Sequence, residues 1–126
     1  MNTRIGKLGE TEWALMKICW KIGKSSAKVI HDEVIKEKNI QYQTVKTILD
    51  RLVVKKLLAR EKFGPIWLYT PKVTEDDLTS HALDEFVKTV FGNTIAPILL
   101  FFVQKEKYKH EVEELKQLIN NIDEEE

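Results

Sequence analysis

Residues Tyr42 to Pro71 read YQTVKTILDRLVVKKLLAREKFGPIWLYTP, and the period of their apolar residues changes part-way along. Val45, Ile48, Leu49 and Leu52 fall at i, i+3, i+4 and i+7, which gathers them on one face of an α-helix. At about 100° per residue the opposite face carries Gln43, Lys46, Thr47, Asp50, Arg51 and Val54, with Thr44 at its edge and Lys55 and Lys56 at its end. After this helix, LLAREKF and IWLYT are rich in strand formers, and Gly64-Pro65 between them reads as the turn of a small hairpin. Arg60 and Lys62 lie on its first arm.

Two further helical patterns precede this stretch. ETEWALMKICWKIG carries Trp13, Met16, Ile18 and Trp20, stops at Gly23, and has a capping-box-like start in Gly9 and Glu12. SSAKVIHDEVIKEKN opens on Ser25 or Ser26 as N-cap, places Val29, Ile30, Val34 and Ile35 on one side, and is expected to end at Asn39. Three helices and a hairpin, with the third helix basic, is the order of a winged helix-turn-helix, whose third helix enters the major groove while the wing lies along the backbone. Gln, Thr, Lys and Arg can reach base edges and phosphates there. Lys46 and Thr47 are therefore expected near bases, and Lys55 and Lys62 on phosphate alone. Asp50 is the exception: it repels phosphate unless Lys46 or Arg51 neutralises it or it accepts from a cytosine amine.

At 126 residues and 43% hydrophobic, the chain can bury one core and a smaller appendage. A single cysteine, Cys19, forms no internal disulfide and no Cys-x-x-Cys zinc pair; it reads as a packed core thiol, and a reducing, cytoplasmic location is expected. The N-terminus lacks the apolar run of a signal peptide, and Ile95 to Val103 falls far short of the roughly 20 residues of a spanning helix, so membrane insertion is not expected. The formal net charge of zero conceals a division. Up to Val73 there are 15 Lys and Arg against 7 Asp and Glu, a balance of +8; from Thr74 the counts are 5 against 13, a balance of −8. Such asymmetry suggests a basic segment with an anionic partner.

In the acidic half, Thr74 can cap a helix whose first turn is loaded by Glu75 to Asp77 and which stops at Gly92-Asn93. Leu83, Phe86, Val87, Val90 and Phe91 on it need a partner surface. IAPILLFF is apolar all round, and Tyr108, Val112, Leu115, Ile119 and Ile122 repeat at 4, 3, 4 and 3, the seam of a paired helix. One copy offers too little core to cover these surfaces. A homodimer joined through Phe86, Val90, Ile98, Leu99, Phe102, Val112, Leu115, Ile119 and Ile122 is expected, against the alternative of a compact monomeric three-helix subdomain. The fold class expected is mainly α with a small β-hairpin: a winged-helix DNA-binding domain over 1–73 and a helical dimerisation domain over 74–126.

The stretches ETEWALMKICW, TVKTILDRLVVKKLL, WLYT followed by TEDDL, ILLFFVQKE and EVEELKQLIN, in this order over nearly the whole chain, resemble the penicillinase-repressor family of transcription regulators, the BlaI, MecI and CopY group. The resemblance implies a homodimeric repressor on a dyad operator of double-stranded DNA, with groove reading by Gln43, Thr44, Lys46, Thr47 and Arg51. Members of the copper-responsive kind carry closely spaced C-terminal cysteines; this tail has none, so no metal or other cofactor is implied. In the antibiotic-responsive members a sensor protease cuts an Asn-Phe bond where this chain has Phe101-Phe102. Inactivation is therefore expected by proteolysis in this region through a regulatory protease of other specificity, or by a signal acting elsewhere, such as a small ligand between subunits. Lys56 stands where some relatives place a helix-ending glycine, which leaves room for the third helix to end differently.

Enzyme chemistry finds no support in the residues. There is no phosphate-cradling glycine loop, serine elbow or paired-carboxylate arrangement, and His81, Asp84 and Glu85 lack the second His or Cys that a metal site would need. His31 and His110 are expected to be exposed, and Trp13, Trp20 and Trp67 to serve core and wing packing. The alternative to a DNA-binding repressor is a winged-helix module whose basic face meets an acidic partner protein.

Overall fold

In the computed structural model, which describes residues 7–125, Glu12 bends back at the start of the first helix and its Oε1 accepts the Gly9 N–H at 3.0 Å. This helix, α1 (Glu10–Ile22), ends at Gly23, whose φ of 78° suits a residue without a β-carbon. Ser25–Ser26 form a two-residue strand, β1, and the Ser26 side chain then caps α2 (Ala27–Val34) by accepting the Val29 N–H at 3.3 Å. α3 (Tyr42–Val54) follows, then β2 (Leu58–Phe63) and β3 (Ile66–Pro71).

α2 is shorter than its apolar pattern suggests. After Val34 the N–H groups of Lys36 and Glu37 turn to the carbonyls of Glu33 and Val34, three residues back, which tightens the last turn and closes the helix well before Asn39. Its buried face is Ala27, Ile30 and Val34, while Val29 and Ile35 are about half exposed. His31 is half-buried rather than exposed: its Nε2 lies 2.8 Å from the Ile40 carbonyl and its ring meets Tyr42 edge-on, which ties α2 to the first turn of α3.

The expected hairpin is present, and a third strand joins it. β2 and β3 pair antiparallel from Leu58 opposite Pro71 to Phe63 opposite Ile66, and β1 adds to the free side of β3 with Ser25 opposite Tyr69. Gly64, at φ 59°, supplies the left-handed backbone that a two-residue hairpin turn asks of its first position. Against this sheet the three helices close one apolar core of Leu15, Met16, Cys19, Ile30, Val45, Leu49, Leu52, Leu57, Leu58 and Tyr69. Burial pushes the Cys19 thiol up to about 12, which leaves it inert. Trp20 anchors the exit from the wing by donating from Nε1 to the Val73 carbonyl at 2.9 Å.

The chain divides into two compact units, one ending at Ala82 and the other beginning at Leu83. The dividing point lies within α4 (Glu75–Phe91), capped by Thr74 through a 3.0 Å bond from the Asp77 N–H, whose Leu78 is buried in the first unit's core. In the second unit, α5 (Ala96–Gln104), a short 3-10 turn (Glu106–Tyr108) and α6 (Lys109–Glu125) follow. Leu83, Phe86, Val90, Leu99, Leu100, Phe101, Leu115 and Ile119 are each at least half exposed in the single chain. Among the described residues no single helix is long and apolar enough to cross a membrane.

Lys56 takes the left-handed conformation, φ 67°, at the end of α3. Its N–H reaches the Val53 carbonyl at 2.9 Å and the Leu57 N–H reaches the Leu52 carbonyl at 3.0 Å, the paired bonds of a Schellman ending. The helix thus ends as it would with glycine, at the steric cost of a β-carbon, roughly 1–2 kcal/mol. Part of this is offset because glycine gains entropy on unfolding. Lys56→Gly is therefore expected to raise stability by up to about 1 kcal/mol in urea unfolding followed by circular dichroism; an unchanged or lowered midpoint would show that the lysine side chain compensates its backbone.

Candidate nucleic-acid interface

α3 buries Val45, Ile48, Leu49 and Leu52 and leaves Gln43, Thr44, Thr47 and Arg51 exposed. Thr47 Oγ1 donates to the Gln43 carbonyl one turn back at 2.9 Å, so its methyl group and remaining lone pairs are what it offers outward. Lys46 is half-buried and less free. Its Nζ lies 3.4 Å from Asp50 Oδ2 and 3.3 Å from the Tyr69 hydroxyl.

Asp50 is the hub of this surface. Its Oδ1 accepts from the Tyr69 hydroxyl at 2.7 Å and from Arg60 Nη1 at 2.9 Å, while Oδ2 faces Lys46. One carboxylate thereby joins α3 to both arms of the hairpin. Burial works against its charge, but the hydrogen bond from Tyr69 and the cations Lys46 and Arg60 outweigh it and hold the carboxyl below the usual aspartate range. The Tyr69 hydroxyl is shifted the other way, upward, by burial and by its bond to Asp50. Lys46, bound first by Tyr69 and also by Asp50, keeps its proton more firmly than a free lysine. Asp50 is neutralised by Lys46, as one of the two cations considered for it, and by Arg60 across the wing.

On the wing, Arg60 is opposite Tyr69 and Lys62 opposite Trp67, so both cations share a face with the two aromatic rings. The Arg60 guanidinium sits 4.4 Å and the Lys62 ammonium 5.0 Å from the Trp67 ring centre. The Tyr69 hydroxyl and the Trp67 platform are the parts of this surface that helical periodicity does not reveal. Period-two pairing across Gly64-Pro65 contains both, because a two-residue turn fixes Lys62 with Trp67 and Arg60 with Tyr69.

Lys55 turns toward a different partner. Lys55 Nζ bonds Glu12 Oε2 at 2.8 Å with both side chains largely covered, and Arg51 adds a favourable field at the same carboxylate. Lys55 therefore fastens the end of α3 to the start of α1. Among the described residues no group of three His, Cys, Asp or Glu gathers where it could hold a metal ion; His81 and Glu85 lie on α4 without a further ligand.

The penicillinase repressor family model matches residues 8–124. The chain belongs to the penicillinase repressor family. It is 29% identical over 117 residues to the penicillinase repressor of Staphylococcus aureus, covering 92% of this chain and 93% of that protein. The methicillin resistance regulatory protein MecI of Staphylococcus aureus strain N315 is 29% identical over 121 residues, 95% of this chain and 98% of that one. Among solved structures, the DNA-binding domain of the repressor BlaI matches with a TM-score of 0.54 at 29% identity, over 60% of this chain and 93% of that domain. The monomeric form of Bacillus licheniformis BlaI in complex with the blaP half-operator matches with a TM-score of 0.50 at 30% identity, over 59% of this chain and 90% of that one. The first and third of these are named as repressors, MecI as a regulatory protein, and a winged helix followed by C-terminal helices is the architecture that this family member has.

The Glu12 carboxylate ties Gly9 and Lys55 into one local system whose stability depends on pH. Burial raises its proton affinity, but the Gly9 N–H and the Lys55 and Arg51 charges together bring it below the usual value. The folded chain thus binds fewer protons there than the unfolded chain. The resulting stability is present above the unfolded glutamate value of about 4.3 and is lost as pH falls from there through the lower folded value. Glu12→Gln should be less stable than the parent by roughly 1–2 kcal/mol at neutral pH, the gap closing through that acid window; a gap independent of pH would remove the ionised carboxylate from the account.

Proposed function

We propose that this member of the penicillinase repressor family is a homodimeric transcriptional repressor whose residues 1–73 bind a dyad-symmetric double-stranded operator and whose residues 74–126 hold two copies together. The observation that carries the DNA reading is the outward face of α3 beside the wing. Gln43, Thr44, Thr47 and Arg51 are exposed there, and the one carboxylate among them, Asp50, is matched by Lys46 and Arg60. The complex of the similar BlaI with its half-operator supports the same assignment. In this reading Gln43, Thr44, Lys46, Thr47 and Arg51 face the major groove, while Lys62 and Arg60 follow the backbone from the wing. Lys55, bonded to Glu12, reaches phosphate only by exchanging that partner.

Binding to duplex DNA is expected to weaken steeply with salt, each neutralised phosphate adding about 0.9 to the logarithmic slope. Thr47→Ala and Gln43→Ala should lose about 1–3 kcal/mol at a read base pair and relax sequence preference, whereas Lys62→Ala weakens all sequences alike and lowers the slope. Fluorescence anisotropy on an inverted repeat and on random duplex separates the two kinds. Equal losses on both duplexes for every variant would refute the division of roles, and absence of any salt-dependent DNA binding would favour an acidic protein partner instead.

The exposed apolar residues of the second unit support self-association. Phe86, Val90, Leu99, Leu115, Ile119 and Ile122 are each at least half exposed, and Ile98, Phe102 and Val112 partly so, which is more apolar surface than so short a segment leaves uncovered without a partner. A dimer would set two recognition helices roughly 34 Å apart, or a multiple of this, and demand an inverted repeat. Cutting at Phe101-Phe102 by a regulatory protease would split α5 and uncouple the half-sites. Light scattering is expected to return twice the chain mass at micromolar concentration, and mass spectrometry of repressor from induced cells a fragment ending at Phe101. A monomer would exclude the first; an intact chain after full derepression would exclude the second.

A further inference from the structure

An acidic residue at the centre of a surface proposed to meet DNA opposes simple electrostatic attraction, yet Asp50 is not a stray charge. Both of its oxygens are engaged, by donors from α3, β2 and β3. Tyr69, whose ring is fully buried in the core, supplies one donor from a fixed position. Arg60 is held twice, by Asp50 at its guanidinium and by the Trp67 ring beneath it. Lys46 is likewise placed by Asp50 and Tyr69 together.

We infer that Asp50 is a positioning and specificity-determining residue: with Tyr69 as its buried anchor it sets the places of Lys46 on the recognition helix and Arg60 on the wing, and its own negative charge restrains binding to DNA of arbitrary sequence. The inference rests on the DNA-binding reading above and assigns a role within that surface. Its physical basis is twofold. Ordering two long cationic side chains before contact removes their conformational cost from the binding step, which favours the one duplex geometry that fits them. A fixed anion among the cations subtracts from the sequence-independent attraction that every duplex shares.

The two effects make Asp50→Asn act in opposite directions on two measurable affinities. The asparagine keeps an oxygen that can accept from Tyr69 but loses the charge that holds Arg60 and Lys46. Full-length wild-type protein is first used to select duplexes from a random-sequence pool, and the affinities of wild type and variant are then measured for a selected duplex and for the unselected pool. Asp50→Asn is expected to bind the pool as well as or better than wild type and the selected duplex more weakly, so that the ratio of the two falls roughly tenfold. Arg60→Ala should cost less at the selected duplex in the Asp50→Asn background than in wild type, because the arginine is no longer placed. Tyr69→Phe, which keeps the buried ring, should lower the ratio in the same direction, and serves if Asp50→Asn does not fold. A ratio unchanged or raised by these substitutions in folded protein overturns the inference while leaving DNA binding intact. Wild-type protein that neither selects a sequence nor binds the pool overturns the DNA-binding reading itself and this inference with it.

Discussion

The Asp50 carboxylate is the point where helix and wing are made into one surface, since Lys46, Arg60 and Tyr69 all meet on it. A β-hairpin of six-residue arms is marginal on its own, and its placement depends on what it is fastened to. Here the fastening is partly apolar, through Leu58 and Tyr69 in the core, and partly polar, through Tyr69 and Arg60 meeting Asp50. A second strap, from Glu12 to Lys55, secures the C-terminal end of α3 to the start of α1. Each strap uses a carboxylate that is partly covered and matched by more than one donor, the condition under which an ion pair is worth more than an exposed surface bridge.

Much of this was legible in the sequence because local rules and tertiary packing agree. The i, i+3, i+4, i+7 run of Val45, Ile48, Leu49 and Leu52 is the buried face of α3, and Gly64-Pro65 is the hairpin turn. Three features were not. β1 has two residues, too few to carry a period, and its serines read first as helix caps. α2 ends before Asn39 because tightened turn bonds close it, and no residue between Val34 and Asn39 is a glycine or proline to announce the stop. His31, among charged neighbours, looks solvated until the chain folds back and brings the Ile40 carbonyl to its ring. At the candidate site the helix face could be drawn from periodicity, but Asp50 could be paired only with cations on its own helix. Arg60 and Tyr69 come from strands and needed the hairpin register.

The second unit is of a different character. α5 has no buried residue in the single chain although nearly all of its side chains are apolar, and among the described residues the aromatic neighbours of Phe102 are Phe101 and Tyr108. Its helices are well marked locally, by Gly92 and Asn93 in left-handed conformation after α4 and by Pro97 in the first turn of α5. Local signals therefore suffice to define the helices of this half. What they leave uncovered is tertiary, and it is on this uncovered surface that the proposed association and its loss by cleavage both depend.

The tryptophans of the chain, Trp13, Trp20 and Trp67, all lie in the first unit. All three pack against the core; Trp20 is further fixed by its bond to Val73, and Trp67 also has two cations over its face. The indole ring is the native fluorophore of a protein, and its emission follows the charges and solvent next to it. The chain thus carries an optical probe beneath the two wing cations and two more against the core, with none in the helices proposed to join its copies. Emission from Trp67 would register any transfer of Arg60 and Lys62 from the ring to a phosphate without a label being attached.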